Sequence, residues 1–247
     1  MIDDRRLRHL EAEVDALRAK QKDSATRKTY DEVFDHAALL TIASLISDRV
    51  ISTLDYPVST GKEANVFHAT DDSGRAKALK IYRIATATFR NIAVYIEGDP
   101  RFKRVKKATK PTIVAWAQKE YKNLVRMDDA GVRVPIPERV LDNVLVMEYV
   151  GDETRPAPAL RDVDLDDPAA VYQDVVPNLR AIRKAELVHA DMSEYNLLWW
   201  EGRVVVIDVG QAVTLDHPRA EEWFRRDVAN VARFFKRLRV DVSMASI

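Results

Sequence analysis

The sequence predicts an α+β protein of two lobes, and three observations carry that prediction. Apolar residues recur at helical spacing and predict helices at residues 3–22, 29–49, 111–129, 168–186 and 218–238. Short apolar runs predict strands at residues 64–69, 76–82, 143–150, 197–200 and 203–208. An irregular segment with Pro156 and Pro158 separates a strand-rich part from a mainly helical part, which predicts a cleft at about residue 150.

Composition excludes several classes of protein. The 247 residues are 47% hydrophobic, which is enough for a real core and excludes general disorder. The chain has no cysteine, which excludes disulfide frameworks, thiolate zinc sites and cysteine nucleophiles. The charged N-terminus does not resemble a signal peptide, and no apolar run reaches the roughly 18 residues of a membrane span. We therefore expect a cytoplasmic protein with no membrane partner.

The predicted organisation has three parts. Residues 1–49 form an N-terminal helical extension, interpreted either as packing helices or as an arm that binds a partner. Residues 50–150 form an N-lobe with a sheet and one helix, and residues 151–247 form a C-lobe. A turn signal at residues 71–74 and another at Glu201 and Gly202 predict hairpins.

A basic stretch at residues 83–110 interrupts the N-lobe. It has no sustained periodicity, so we expect a flexible insert without regular structure. Its net charge is six positive, because Glu97 and Asp99 oppose eight cations: Arg83, Arg90, Arg101, Lys103, Arg104, Lys106, Lys107 and Lys110. Two interpretations stay open: a solvated loop, or a segment that contacts RNA or a triphosphate.

The first candidate site is the segment Ser59-Thr60-Gly61-Lys62-Glu63-Ala64-Asn65-Val66. Small and hydroxyl residues with one glycine let backbone N–H groups approach a phosphate chain, and a lysine adds charge. The segment lacks the glycine spacing of a Walker loop. On its own it is more typical of a surface turn.

Two charged residues stand within apolar patterns. Lys80 shares a strand face with Ala78 and Tyr82, where a lysine needs either an anionic partner or water at a sheet edge. Glu120 lies in the apolar stripe of the helix predicted at 111–129, and a buried carboxylate needs a partner. The two residues are therefore predicted to pair.

The most informative pattern is His189-Ala190-Asp191-Met192-Ser193-Glu194-Tyr195-Asn196, followed after a hairpin by Ile207-Asp208-Val209-Gly210-Gln211. One carboxylate can accept a hydroxyl proton, whereas an amide oxygen and a second carboxylate can hold a hard cation such as Mg²⁺. Protein kinases use this order of Asp, Asn and Asp. His189 is interpreted as a packed, hydrogen-bonded residue.

These motifs resemble those of the RIO-type atypical serine/threonine protein kinases, and the type-1 subfamily in particular, in an archaeal-like form with a short C-terminus. Residues 59–66 resemble its phosphate loop, residues 189–196 its catalytic loop and residues 207–211 its metal loop. Other matches are Gly151 with the prolines at 156 and 158, and His217-Pro218 with Arg226-Asp227. Ala190 departs from the pattern, since glycine is commoner there.

The resemblance implies a two-lobed protein-kinase-like α+β fold with a reduced C-terminal lobe, and it implies roles for individual residues. The phosphates of ATP are covered by Ser59, Thr60, Gly61 and Lys62. Lys80 contacts the α- and β-phosphates and pairs with Glu120. Met147 backs the adenine pocket, and the backbone of Glu148 and Val150 binds adenine. Asp191 is the catalytic base, while Asn196 and Asp208 bind Mg²⁺, for which Mn²⁺ substitutes; Asp208 can also accept the phosphoryl group.

The resemblance also implies a partner, the maturing small ribosomal subunit with its rRNA and protein, and no DNA. Whether the chain phosphorylates protein or hydrolyses ATP stays open. Two further alternatives stay open: a small-molecule phosphotransferase of the aminoglycoside or choline kinase type, and a non-enzymatic assembly module gated by ATP.

Overall fold

The structure is a computed structural model that describes residues 8, 12, 34, 36–84, 92–103, 105, 108–153 and 155–242. The helix predicted at 3–22 lies outside the described residues except for Arg8 and Ala12, which are both helical. The chain divides into two units. Unit 1 comprises residues 1–92, 105–118 and 137–149, and unit 2 comprises residues 93–104, 119–136 and 150–247.

In the described part of unit 1, a helix packs against a five-stranded antiparallel sheet. The helix α1 spans His36–Ser47. The strands are β1 (Thr53–Thr60), β2 (Ala64–Thr70), β3 (Ala76–Tyr82), β4 (Pro137–Leu141) and β5 (Val144–Glu148). Their order in the sheet is β1-β2-β3-β5-β4, so β3 occupies the centre.

The core of unit 1 lies between α1 and one face of this sheet. Alternation along β3 and β5 directs Leu79, Ile81, Val144 and Val146 into the cluster that also holds the buried face of α1. Phe34, just before α1, contacts Phe67 of β2 with ring centroids 4.9 Å apart. The same alternation leaves Lys80 on the opposite face of the sheet.

The two outer strands, β1 and β4, were not predicted from the sequence. Each contains a proline, Pro57 in β1 and Pro137 at the start of β4, and the register of the sheet shifts beside both. A proline cannot donate a ladder hydrogen bond, so it is tolerated at a sheet edge and obscures the strand pattern.

The hairpin predicted at 71–74 is present, with Gly74 at φ +77° and the Asp71 carboxylate accepting the Ser73 N–H at 2.9 Å.

The helix α2 spans Thr109–Asp129, two residues earlier than the predicted start. Its residues up to Gln118 belong to unit 1, and those from Lys119 belong to unit 2. The helix ends as predicted before Gly131, whose φ of +81° lets its N–H donate to the Asp128 carbonyl at 2.8 Å.

From residue 150 onward, the described part of unit 2 contains two long helices and two short sheets. The elements are α3 (Pro168–Lys184), β6 (Leu187–Val188), β7 (Leu197–Trp200), β8 (Arg203–Val206), β9 (Val213–Thr214) and α4 (Ala220–Arg237). β7 pairs with β8 as the predicted hairpin, and β6 pairs with β9. Trp223 of α4 is buried against Val188, Ala190 and Val213. Among the described residues, no helix is long and apolar enough to cross a membrane.

The prediction that residues 83–110 lack regular structure is wrong for part of this segment. Residues 92–96 are helical, and Pro100–Phe102 forms a 3₁₀ turn that Asp99 caps. The physical reason is burial, since Ile92, Asp99 and Phe102 are all buried. Residues 85–91, 104, 106 and 107 lie outside the described part of the chain.

Gly151 permits a tight turn in unit 2. Its φ is +153°, and it forms a bridge with Pro156, beside which the Ala157 N–H donates to the Val150 carbonyl at 2.9 Å. A Cβ at this position would lie 2.6 Å from the carbonyl oxygen of Arg155. The turn therefore excludes every side chain.

We predict that Gly151→Ala lowers the free energy of unfolding by roughly 2–4 kcal/mol, because the clash with Arg155 adds to the cost of the backbone conformation. Gly131→Ala is the matched control, because its added Cβ has no atom within 4 Å. It should lower stability by only about 1–2 kcal/mol. Chemical denaturation of both variants measures the difference, and equal losses would contradict the clash.

Candidate active site

Residues 59–66 comprise the end of β1, the hairpin turn and the start of β2 in unit 1. The Gly61 N–H donates to the Ala64 carbonyl at 3.0 Å and to Asn65 Oδ1 at 3.3 Å. A Cβ on Gly61 would lie 2.9 Å from that same carbonyl, so the turn closes only because the residue is glycine. The four residues predicted to cover phosphates are exposed: Ser59, Thr60, Gly61 and Lys62.

Lys80 lies on the central strand of the sheet. It pairs in register with Val66 of β2 and Leu145 of β5, and only 9% of its surface is exposed. Its Nζ lies 5.3 Å from the ring centroid of Tyr82. The alternative of an edge-strand lysine facing water is therefore wrong. Glu120 is buried in the part of α2 that belongs to unit 2, and its pairing with Lys80 stays a prediction.

The predicted adenine-binding residues lie at the end of β5 and just after it. Met147 is in register with Ala78, and Glu148 with Lys77. Both side chains are half-buried, whereas Val150 is buried in unit 2. Their roles stay predictions.

The catalytic-loop motif brings Asp191 and Asn196 together in unit 2. Asn196 Nδ2 donates to the Asp191 carbonyl at 2.9 Å and to its carboxylate at 3.2 Å. A further turn bond, from the Asn196 N–H to the Ser193 carbonyl at 3.0 Å, closes the loop. Asn196 Oδ1 accepts no hydrogen bond from the residues that the structure describes. The amide therefore orients Asp191 and keeps one oxygen available.

Asp227 of α4 binds the backbone of the catalytic loop. Its carboxylate accepts the Ala190 N–H at 2.8 Å and the Met192 N–H at 2.9 Å, and only 1% of the residue is exposed. Arg226 donates to the Ala190 carbonyl. These contacts fix Ala190 at φ +67°, the left-handed region in which glycine is commoner.

The metal-loop motif follows β8 and lies beside the catalytic loop. The Ile207 N–H donates to the Asn196 carbonyl at 3.0 Å, and His189 Nε2 contacts the Ile207 carbonyl at 3.1 Å. His189 is buried, which confirms its interpretation as a packed, hydrogen-bonded residue. Asp208 comes next, with φ +58°.

Burial raises the pKa of the Asp191 carboxyl above its usual range, and the Asp208 charge raises it further, against the opposing effects of His189 and Arg226. Burial also raises the pKa of the Asp227 carboxyl, although the N–H groups of Met192 and Ala190 oppose it. Unit 2 thus holds two carboxyl groups, Asp191 and Asp227, whose ionised forms are made unfavourable by burial.

The donor set fits a hard cation. Asp191 and Asp208 are close enough to influence each other, and the Asn196 amide oxygen accepts no hydrogen bond from the described part of the chain. Within the described ranges there is no group of three His, Cys, Asp or Glu that could hold a metal ion. Carboxylate and amide oxygens that leave positions for water and phosphate are what Mg²⁺ prefers.

The metal loop is also contacted by side chains that sequence reasoning did not single out as site residues. Lys119 and Asn123 of α2 donate to its backbone, and Arg101, one of the cations of residues 83–110, donates to the Ala212 carbonyl directly after it. The sequence contains only a weak indication of these contacts. Lys119 and Asn123 stand one helical turn apart on α2 and therefore share a helix face.

Comparisons with known proteins agree with these motifs. The model of the RIO domain family matches residues 65–247. The RIO-type serine/threonine-protein kinase Rio1 of Haloferax volcanii is 44% identical over 99% of this chain and 84% of its own length. Its counterpart in Methanocaldococcus jannaschii is 37% identical over 94% of the chain and 79% of its length. The chain spans only 40% of the human serine/threonine-protein kinase RIO1, to which it is 38% identical.

A solved structure supports the fold. The Rio2 kinase of Chaetomium thermophilum, crystallised as an ADP/Mg²⁺-phosphoaspartate complex, matches with a TM-score of 0.68 over 99% of this chain and 86% of its own, at 22% identity. The predicted kinase-like α+β fold is thereby confirmed. With the domain match and relatives of this identity, the chain belongs to the RIO family of serine/threonine protein kinases.

Proposed function

We propose that the chain transfers the γ-phosphoryl group of ATP, with Asp191 as catalytic base and Mg²⁺ held by Asn196 and Asp208. One observation carries the proposal: the Asn196 amide binds the main chain and carboxylate of Asp191, while the Asp208 charge acts on that same carboxylate. A proton acceptor beside a second carboxylate and an amide oxygen supplies the parts that phosphoryl transfer needs.

In the kinase reaction, Asp191 accepts the proton of a serine or threonine hydroxyl while the hydroxyl oxygen attacks the γ-phosphorus. The bond from the γ-phosphorus to the bridging oxygen breaks, and ADP leaves. The raised pKa of Asp191 makes it a better proton acceptor than an ordinary aspartate. Mg²⁺, or Mn²⁺ in its place, neutralises charge on the phosphate oxygens when bound.

Most of the proposed nucleotide contacts come from unit 1, whereas Glu120 and Val150 belong to unit 2. The backbone of residues 59–62 covers the phosphates, since Gly61 leaves no side chain in the turn. Lys80 contacts the α- and β-phosphates and pairs with Glu120, which is consistent with its burial on the central strand. Met147 backs the adenine, and the backbone of Glu148 and Val150 binds it.

We also propose an ATPase reaction at Asp208. A carboxylate oxygen of Asp208 attacks the γ-phosphorus, ADP leaves and an acyl-phosphate forms. Water, which loses a proton to Asp191, then releases inorganic phosphate and restores Asp208. The resemblance to the family supports this route, and the Rio2 structure from Chaetomium thermophilum contains a phosphoaspartate.

The proposed setting is maturation of the small ribosomal subunit in the cytoplasm. The support for this setting is the family resemblance and the basic charge of residues 83–110. Arg101 is bound within unit 2, so the remaining cations of that segment are the proposed contacts with rRNA.

Single-turnover hydrolysis tests both carboxylates. With γ-labelled ATP, the wild type should form a hydroxylamine-sensitive acyl-phosphate that Asp208→Asn cannot form. Asp191→Ala should retain the label on Asp208 but release phosphate about 10²–10⁴ times more slowly, because the base is missing.

Asp216→Asn, an exposed carboxylate just beyond β9, is the matched control and should behave as the wild type. Full turnover by Asp191→Ala would overturn the proposed mechanism. Rapid phosphorylation of an aminoglycoside or choline, without protein phosphorylation, would favour the small-molecule alternative.

The raised pKa of Asp191 has opposite consequences for activity and for stability as the pH rises. The rate constant kcat should fall on the acidic side at a pH above 3.8, the ordinary value, because Asp191 must be deprotonated. A raised carboxyl pKa makes ionisation unfavourable in the folded state, and this penalty grows as the pH rises through 3.8 to the folded pKa. Asp191→Asn should therefore be inactive yet unfold at a higher temperature at pH 7.

Carbon-13 NMR titration of the Asp191 carboxyl measures this pKa directly. In Asp208→Asn the pKa should shift downward, since one of the two causes of its rise is removed. An Asp191 that titrates at or below 3.8 in the wild type would contradict the electrostatics described above.

Charge reversal tests the ribosomal setting. Lys106→Glu with Lys107→Glu should weaken binding to small-subunit rRNA far more than binding to ATP, and the loss should shrink as salt rises. Lys122→Glu with Lys184→Glu, two exposed lysines elsewhere, is the matched control. Equal rRNA affinity in both double variants, measured by fluorescence anisotropy, would refute the contact.

A further inference from the structure

The backbone of the metal loop is held by side chains from outside it. Four carbonyl groups at residues 207–212 accept hydrogen bonds from, or contact, polar side chains, of which three are buried and the fourth, Arg101, is half-buried. The contacts are Ile207 with His189 at 3.1 Å, Val209 with Asn123 at 2.8 Å, Gly210 with Lys119 at 2.7 Å, and Ala212 with Asn123 at 3.1 Å and Arg101 at 3.2 Å.

Such support is needed because Asp208 has a left-handed backbone, with φ +58°. For a residue with a Cβ this conformation costs about 1–2 kcal/mol and persists only where the surroundings impose it. Within the loop, the Ala212 N–H donates to the Val209 carbonyl at 3.1 Å.

Asn123 lies at the centre of these contacts. It is fully buried, and its Nδ2 donates to the carbonyl groups on both sides of the loop, Val209 and Ala212. Its Oδ1 accepts from Arg101 Nη1 at 2.8 Å. That last contact fixes the orientation of the amide. A guanidinium only donates, so Oδ1 faces Arg101 and the NH₂ group faces the two carbonyls.

Arg101 is itself fixed by a carboxylate. Its Nε and Nη2 donate to Asp99 at 2.9 and 2.7 Å, and Asp99 is 3% exposed. Burial alone would raise the pKa of Asp99, but the Arg101 guanidinium outweighs it and the pKa lies below its usual range. Arg101 thus reaches Ala212 and Asn123 as a rigid, charged fork.

Lys119 adds the third donor, one helical turn before Asn123. It is 2% exposed, and burial lowers its pKa well below the usual range. A lysine is rarely buried to this extent without a specific partner. Its Nζ donates to the Gly210 carbonyl, two residues beyond Asp208.

We propose that Asn123 is a positioning residue that, with Arg101 and Lys119, holds the metal loop in the left-handed conformation that aims the Asp208 carboxylate. The proposal rests on the role of Asp208 given under Proposed function. In this proposal, Arg101 has a structural role that its position in the basic segment 83–110 does not reveal. Asp99 contributes to that role by binding Arg101.

The substitution Asn123→Asp tests this with little change of shape. It removes both donated bonds to the loop and keeps an acceptor for Arg101. In the nucleotide-free protein, hydrogen exchange of the amides of residues 207–212 should accelerate roughly 10- to 100-fold, as expected for two lost hydrogen bonds. The rate constant kcat should fall by a similar factor, while the KM for ATP should stay within about threefold.

Asn178→Asp is the matched control. Asn178 is also buried in unit 2, where its Nδ2 donates to the Asp174 carbonyl at 2.7 Å and its Oδ1 accepts the Arg133 N–H. This variant should lose comparable stability, yet it should leave the exchange of residues 207–212 and kcat as in the wild type. If both variants accelerate exchange equally, the proposal is overturned.

Arg101→Lys covers the case in which Asn123→Asp does not fold. Lysine keeps the charge next to Asp99 but cannot reach Asp99, Asn123 and Ala212 together, so exchange of the loop should again accelerate and kcat should fall. Unchanged exchange in a folded Asn123→Asp or Arg101→Lys variant would overturn the proposal. Accelerated exchange combined with full turnover by Asp208→Asn would instead refute the role of Asp208 and leave the support of the loop standing.

Discussion

Two residues with left-handed backbones, Ala190 and Asp208, set the constraint on which the catalytic part of the structure depends. Each conformation is unfavourable for a residue with a Cβ, so each must be imposed from outside. Asp227 imposes the first by accepting two backbone N–H groups, and Asn123 imposes the second by donating to two carbonyl groups. The two loops are thus held by buried side chains of opposite hydrogen-bonding character.

This arrangement has an electrostatic consequence. Asp191, Asp208 and Asp227 lie in one unit, and burial raises the pKa of Asp191 and of Asp227. Removing the Asp191 carboxylate would relieve unit 2 of an unfavourable buried charge, so its presence is explained by function rather than by stability. A cation bound to Asp208 and Asn196 would offset this negative charge. Binding of a cation should therefore stabilise unit 2.

The sequence predicts the elements with clear periodicity and misses those that break it. β3 and β5 are apolar central strands and were found, whereas β1 and β4 are edge strands with Pro57 and Pro137 and were not. The segment at 92–103 was predicted to lack regular structure, because its few buried residues do not recur at a fixed spacing. Edge strands and irregular buried segments are stabilised by contacts distant in sequence, which no local pattern records.

The same distinction separates the site residues that could be found from those that could not. Asp191 and Asn196 stand five positions apart, so a local motif reveals them. Lys119, Asn123 and Arg101 act on carbonyl groups 86 to 111 residues away, and a backbone carbonyl leaves no trace in a sequence. Counting Arg101 as one of eight cations suggested an outward-facing charge, yet Asp99 and Asn123 bind it inside unit 2. Local net charge therefore indicates a binding surface only after its internally paired members have been subtracted.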